Sequence, residues 1–321
     1  MNLEDAFAKH RRELLAHCYR MLGSLHDAED AVQETYLRAW KALDGFEHRS
    51  STRTWLYRIA TRVCLNSLAH SSRRVVPSAL GAPGSDPDAL EPYAKEVPWL
   101  EPFPDMPATD PAVLVVARQS LRLAVVAAMQ RLPPRQRAVL IFRDVLAWQA
   151  SEVAEVLETT TDAVNSALRR ARAELARQAP SEDVLSEPDE PVRRALVDRY
   201  ADAFARADLP ALKDLLTQDV RWEMPPIPTW FEGRQDVLRL LAAKLLPGPD
   251  RRLIVRTSAN GQPALGCYGR DPDGSCHAHS LQVLTVGEDG VRAVVAFHRA
   301  ELFPSFGLPI HRPIPETVKS S

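Results

Sequence analysis

The sequence has few cysteines, no long apolar run and no large excess of positive or negative charge. Its four cysteines, at positions 18, 64, 267 and 276, are scattered along 321 residues. Scattered cysteines do not build a disulfide framework and are typical of a reducing compartment. The absence of a long apolar run excludes a transmembrane helix, and charges within the first five residues exclude a secretory signal peptide. These absences predict a cytoplasmic protein that does not enter the membrane.

The charge is nearly balanced overall, at −2, but it is unevenly distributed. Residues 1–76 carry 12 basic against 9 acidic side chains, and residues 113–180 carry 10 against 6. Residues 77–112 between them carry 1 against 7. Two basic blocks on either side of an acidic, proline-rich one indicate two nucleic-acid-binding modules on a tether.

Residues 132–178 predict a helix-turn-helix. Two consecutive prolines, at 133 and 134, forbid a helix before Arg135 but suit the first turn of a helix that follows. A second helix is predicted over 149–157, and a third begins at Thr161, after a polar break. In the third, Val164, Leu168, Ala171 and Leu175 recur every three or four residues. Helices joined by so short a turn form a helix-turn-helix, whose second helix lies in the DNA major groove.

The outward face of this third helix carries side chains suited to base edges and phosphates. The simpler alternative is a solvated helix whose arginines interact with its C-terminal dipole. The candidates for DNA contact are Thr161, Asp162, Asn165, Ser166, Arg169, Arg170 and Arg172.

Residues 132–140, 151–157 and 163–172 resemble domain four of bacterial sigma-70-type factors of the extracytoplasmic-function class. In that family the domain reads the −35 element of the promoter. The resemblance implies that residues 113–178 are a −35-reading domain.

Residues 1–76 predict three helices and resemble domain two of the same family. Residues 27–40 resemble the segment that docks on the clamp helices of the largest polymerase subunit, and residues 46–66 resemble the segment that melts the −10 element and holds a flipped base. An acidic ridge suits a basic partner, and an unstacked base needs aromatic and cationic side chains, although Trp55 also suits a core. The docking candidates are Asp27, Glu29, Asp30, Gln33 and Glu34, and the −10 candidates are His48, Arg53, Trp55, Arg58, Arg62 and Asn66.

The acidic block, residues 77–112, contains nine prolines and predicts an extended tether. At its centre lies an apolar patch, Trp99, Leu100 and Phe103, which gains little from exposure. We expect this regulatory patch to dock on the C-terminal domain of the same chain or in the polymerase channel that linkers of the family occupy. The alternative is a chance apolar cluster on a mobile strand.

After a second linker, residues 179–191, the pattern over residues 192–300 is helices first and then a run of strands, which predicts an α+β domain. Residues 200–216, 219–226 and 231–234 resemble the SnoaL-like family, a curved sheet wrapped by helices into a cone with an internal pocket. The predicted fold is therefore multidomain: two all-α modules, with a helix-turn-helix in the second, followed by an α+β cone. Residues 301–321 are an apolar, proline-rich tail, expected to fold back near the cavity mouth or the acidic linker.

A pocket in the C-terminal domain raises three alternatives: a purely regulatory domain, a sensor of a small-molecule ligand, or an isomerase-like enzyme using general acid–base chemistry. No cofactor is expected. A metal site at Cys276, His277 and His279 is disfavoured, because on a strand the cysteine points away from the histidines. The candidate pocket residues are Trp222, Trp230, Phe231, Tyr268, His279 and His298.

Together these features predict a non-enzymatic sigma factor with core RNA polymerase and promoter DNA as partners. Its C-terminal domain is expected to modulate activity in place of a separate anti-sigma protein.

Overall fold

The structure, a computed structural model, forms two compact units. A helical unit comprises Met1–Val75 and Pro98–Ala179, and an α+β unit comprises Val76–Val97 and Pro180–Ser321. The acidic linker is therefore divided: its first part belongs to the α+β unit and its second part to the helical unit. The residues that the structure describes are 3–45, 51–70, 72–105, 119–178, 190–245, 252–271 and 274–312.

The first half of the helical unit contains helices α1 (Leu3–Leu22), α2 (Leu25–Lys41) and α3 (Thr52–His70). Gly23 joins α1 to α2 with a φ of 71°, a left-handed conformation that glycine adopts without strain. The Ser24 side chain then caps α2 by accepting a hydrogen bond from the amide of Asp27. Two adjacent residues thus reverse the chain and start the second helix.

The second half contains α4 (Leu123–Gln130), α5 (Pro134–Leu140), α6 (Ala150–Leu157) and α7 (Thr161–Gln178). A π-helical turn follows α5. Gln149 and Glu152 form a capping box at the start of α6, and Glu158, with a φ of 51°, ends it. The expected helix-turn-helix is confirmed as α6 and α7.

The two halves pack through an aromatic cluster and a buried arginine. His17 and Tyr57 from the first half contact Phe142 and Trp148 from the second. Arg137 on α5 donates to the carbonyl oxygen of Met21, to both Gln130 oxygens and to the carbonyl of Leu132. A buried cation needs such partners, because it has lost its water.

The α+β unit begins with α8 (Glu190–Ala205) and α9 (Leu209–Leu215), and α10 (Arg234–Lys244) follows the second strand. The sheet order is β2-β1-β6-β5-β4-β3, with a short β7 beside β5. All pairings are antiparallel except β1 with β6. The α+β class is confirmed, and β2 is an addition to the strands read from the sequence. The strands are β1 (Leu216–Met224), β2 (Ile227–Glu232), β3 (Arg252–Ala259), β4 (Gln262–Arg270), β5 (Cys276–Gly287), β6 (Gly290–Phe297) and β7 (His311–Arg312).

The start of the apolar tail packs on strand β4. A 3₁₀ turn, Ala300–Phe306, buries Phe303 against Tyr268, with ring centroids 5.1 Å apart. A Cβ on Gly266 would lie 2.6 Å from the side chain of Leu308, so any other residue would require that side chain to shift. The described part of the tail therefore folds back over the chain, as expected, and covers the sheet at the candidate pocket residue Tyr268.

None of the helices in the described part of the chain combines the length and the apolar character that crossing a bilayer requires.

The burial of His17 makes the stability of the helical unit depend on pH. Burial, followed by the charges of Arg20 and Arg53, lowers the pKa of His17 to about 3. In the unfolded chain this histidine takes up a proton below about pH 6.5, whereas in the folded chain it does so only near pH 3, so acid favours unfolding. When the pH falls from 7 to 5, we expect the free energy of unfolding to decrease by about 2 kcal/mol because of His17.

Urea unfolding at both pH values, compared between the wild type and His17→Gln, measures this difference. The exposed His70 on α3 supplies the control, since His70→Gln should keep the wild-type pH dependence. If the free energy of unfolding fell equally with pH in all three proteins, His17 would not be the cause of the pH dependence.

Candidate nucleic-acid interface

Helix α7 presents the expected DNA-contact face. Val164, Leu168 and Ala171 are buried, which turns the opposite side of the helix to solvent. Arg172 differs from the other arginines on this face, because two of its three guanidinium nitrogens, Nε and Nη2, donate to the carboxylate oxygens of Asp144 at 3.0 and 2.7 Å. This ion pair raises the pKa of Arg172. The exposed candidates are Thr161, Asp162, Asn165, Arg169, Arg170 and Arg172, and Ser166 is half-buried.

The arginines of α3, expected to contact −10 DNA, are in ion pairs with carboxylates. Arg53 donates to Glu13 of α1 at 2.9 Å. Arg58 pairs with Glu155 of α6, and Arg62 pairs with Glu158 at the end of the same helix. Carboxylates of the helix-turn-helix thus occupy two cations that suit DNA phosphates.

The remaining −10 candidates differ in their surroundings. Trp55 is half-buried and Asn66 is exposed. His48 lies outside the described residues. Tyr57, an aromatic of the same segment, is fully buried, and its hydroxyl donates to Glu13 at 3.3 Å. Tyr57 therefore belongs to the core.

A groove of about 450 Å³ between α1 and α2 contains three of the docking candidates, Glu29, Asp30 and Gln33. The other two make ion pairs: Asp27 with Arg74 and Glu34 with Arg38. The residues lining the groove are Phe7, Arg11, Glu29, Asp30, Val32, Gln33 and Tyr36.

Two apolar side chains at the end of α2 recur at helical spacing with its buried residues but are exposed. Leu37 is 47% exposed and Trp40 is 57% exposed. Periodicity identifies a face of a helix, but it does not say whether a neighbouring helix extends far enough to cover it.

The apolar linker patch docks on the helical unit. Trp99, Leu100 and Phe103 are buried, and Phe103 stacks on Tyr19 of α1 with ring centroids 4.5 Å apart. The patch therefore packs on the helical unit and not on the C-terminal domain, and docking in the polymerase channel stays a prediction.

The carboxylate of Glu101, inside this patch, binds the start of α2. It accepts hydrogen bonds from the Ser24 hydroxyl at 2.8 Å and from the amide of His26 at 3.3 Å. The Tyr19 hydroxyl donates to the Glu101 carbonyl at 2.7 Å. A buried acidic residue is stable here because a helix N-terminus favours negative charge.

The candidate pocket residues of the α+β unit lie in separate places. Trp222 and Phe231 are part of the hydrophobic core. Trp230 donates its indole N–H to the carbonyl of Gly81 in the linker, at 2.9 Å. Trp222 and Phe231 are therefore partners across β1 and β2 inside the core, whereas Trp230 faces the linker.

The other three pocket candidates are also divided. Tyr268 packs against Phe303 of the tail. His279 contacts His298, with ring centroids 5.0 Å apart, and burial together with the neighbouring His279 lowers the pKa of His298 to about 4. Among the described residues, no group of three or more His, Cys, Asp or Glu side chains is placed to hold a metal ion.

Comparison with known proteins agrees with this arrangement. The sequence model of Sigma-70 region 2 matches residues 6–74, that of Sigma-70 region 4 matches residues 122–175, and that of the SnoaL-like domain matches residues 197–290. These regions define a sigma-70-type factor carrying an additional domain.

One relative is the ECF RNA polymerase sigma factor SigG of Mycobacterium tuberculosis, 52% identical over 308 residues, which are 94% of this chain and 82% of SigG. SigJ of the same organism is 32% identical over 212 residues, 65% of this chain and 61% of SigJ. The chain belongs to the extracytoplasmic-function (ECF) RNA polymerase sigma factors. The crystal structure of SigJ has the same fold, with a TM-score of 0.64 and 24% identity, over 95% of this chain and 99% of that one.

The ion pairs on α3 predict that the carboxylates of α6 compete with DNA for Arg58 and Arg62. Glu155→Gln combined with Glu158→Gln frees Arg58 and Arg62, and each exposed pair is worth roughly 0.5 kcal/mol. We therefore expect the free chain to bind single-stranded DNA about threefold to tenfold more tightly, as measured by fluorescence anisotropy.

A control with the same change in net charge is Glu288→Gln combined with Asp289→Asn, in the exposed β5–β6 turn. This control should bind DNA like the wild type. An equal gain in both double variants would mean that net charge alone is responsible.

Proposed function

We propose that α7 reads the −35 element and that α3 contacts the −10 element when this sigma factor directs core RNA polymerase to a promoter. The exposed polar face of α7 carries the proposal. Its buried apolar stripe fixes the helix on α5 and α6, so the outward Asn165 and Arg169 are held rigidly, as base recognition requires.

Polymerase docking is assigned to the groove between α1 and α2. Glu29 and Asp30 line it beside the apolar Phe7 and Tyr36, so a partner with basic and apolar side chains would fit. The exposed Leu37 and Trp40 continue the same helix and extend the apolar part of this surface.

In the packed helical unit, the DNA-contact face of α3 is covered by the helix-turn-helix, so DNA binding requires the two to separate. Arg58 and Arg62 bind carboxylates of the helix-turn-helix module, so −10 DNA has to displace Glu155 and Glu158 to reach them. In the polymerase-bound form we therefore expect the two halves of the unit to separate.

Arg169 on α7 tests the assignment of the −35 helix. If its guanidinium reads a base, Arg169→Ala should weaken binding to the cognate −35 duplex by roughly 1–3 kcal/mol and relax the preference at one base pair. Binding titrations with the cognate duplex and with single-base variants measure both effects. A loss of equal size on every duplex would show that Arg169 contacts phosphate only.

The α+β domain is assigned to regulation within the same chain, in the role of a separate anti-sigma protein. The aromatic and histidine side chains expected to line a ligand pocket lie in separate places, which favours this reading over a ligand sensor or an isomerase-like enzyme. No reaction is assigned to the chain alone.

Removal of residues 179–321 tests regulation in cis. Transcription from a cognate promoter, reconstituted with core polymerase, should change when the domain is missing. Equal transcript levels with the truncated and full chains would contradict a regulatory role.

A further inference from the structure

The first part of the linker lies on the α+β domain. Residues 76–97 belong to that unit, whereas the residues on both sides belong to the helical unit. We propose that the α+β domain is a releasable clamp for this extended segment. Its release, followed by opening of the backbone hydrogen bonds that join Val75 to Pro98 and Leu100, lengthens the connection between the −10 and −35 modules. The inference rests on the proposed regulation in cis and supplies its mechanism.

The clamp uses the free edge of the sheet. Strand β2 is the terminal strand of the sheet order. The Gly84 amide donates to the carbonyl of Trp230 at 2.7 Å, and Gly84 forms a parallel bridge with Phe231. The Trp230 indole donates back to the carbonyl of Gly81. Extended peptides are commonly recognised in this way, by adding main-chain hydrogen bonds to a sheet edge.

A buried carboxylate on β1 holds the start of the segment. Glu223 is 8% exposed, and its two oxygens accept hydrogen bonds from the Ser78 amide at 2.9 Å and the Ser78 hydroxyl at 3.1 Å. Burial raises the pKa of Glu223, whereas the hydrogen bonds from Ser78 lower it. Departure of the linker would remove both of these bonds, so the carboxylate favours the clamped state.

The end of the segment returns to the same β1–β2 hairpin. The Glu91 amide donates to the Thr229 hydroxyl, and the Ala94 amide donates to the carbonyl of Pro226, each at 3.0 Å. The large side chains of Leu80 and Tyr93 remain 47% and 51% exposed. Leu90 packs against the hydrophobic core and Pro77 and Ala94 are buried, so a few polar contacts and these small or partly buried apolar contacts hold the segment. So limited a set of contacts suits reversible binding.

The two ends of the clamped segment are joined on the helical unit. The Val75 amide donates to the carbonyl of Pro98 at 3.0 Å, and the Leu100 amide donates to the carbonyl of Val75 at 2.8 Å. The intervening residues, 76–97, therefore add nothing to the reach of the chain while these bonds persist.

Released from the sheet, and with the two bonds of Val75 open, the same residues would span roughly 70–80 Å when fully extended. The −35 and −10 elements are about 25 base pairs apart by their names, or roughly 85 Å along B-DNA. The clamp thus holds a length of chain comparable to the distance between the two elements.

Two glycines in the segment provide a matched pair of variants. A Cβ on Gly84 would lie 2.9 Å from the Thr229 methyl group, whereas a Cβ on Gly81 would meet no atom within 4 Å. Neither glycine has a positive φ, so valine is compatible with the backbone at both positions. Only the substitution at position 84 disturbs the contact with the sheet edge.

Hydrogen exchange of the full chain, followed by mass spectrometry, tests the clamp. Gly84→Val should raise exchange of the segment 77–94 about tenfold or more, whereas Gly81→Val should remain within about twofold of the wild type. Unchanged exchange in β1 and β6 confirms that the domain stays folded. Equal exchange of the segment in both variants would overturn the clamp.

Transcription reconstituted with core polymerase tests whether release of the segment changes the activity of the sigma factor. Gly84→Val should shift transcript levels in the same direction as removal of residues 179–321, and Gly81→Val should match the wild type. If the truncation changes transcription but Gly84→Val frees the segment without effect, the inferred mechanism is wrong and regulation in cis stands. If the truncation itself has no effect, regulation in cis is what fails.

Discussion

The buried guanidinium of Arg137 joins the two helical modules. It originates on α5 and donates to the carbonyl of Met21, at the end of α1, and to Gln130 and Leu132. Burial lowers its pKa to about 10, which leaves it charged at neutral pH. Because a charge without partners inside a protein is very unfavourable, the modules cannot separate unless water reaches this site. The arrangement of α3 against α6 depends on that contact.

Opposite charges on α3 and α6 determine which cations of the helical unit are covered when its two halves pack together. The cations that suit a phosphate backbone are the same ones that pair with Glu155 and Glu158. Individually such surface pairs contribute little, and salt screens them, so they leave the equilibrium open to DNA. The buried aromatic contacts and Arg137 stabilise the packing of the two halves of the helical unit. The surface carboxylates of α6 determine that the arginine-bearing face of α3 is the one that is covered.

Local patterns allowed the sequence to predict the helix-turn-helix and the α+β class, because capping, periodicity and turn signals act over a few residues. Contacts between distant segments were not predictable in this way. Nothing near Gly84 indicates that it lies on β2, and nothing near Trp40 indicates that its helical face is left exposed. The scattered positions of Tyr268 and Trp230 likewise depend on the tail and on the linker, which no periodic pattern reveals.

Glu101 makes part of the linker structurally inseparable from the first three helices. Its carboxylate is bound to Ser24 and its carbonyl to Tyr19, although about eighty positions of sequence lie between them. A hybrid protein that takes residues 1–76 from this chain and everything else from a relative would leave the start of α2 without its acceptor. The natural unit of exchange is therefore discontinuous and includes residues 98–105.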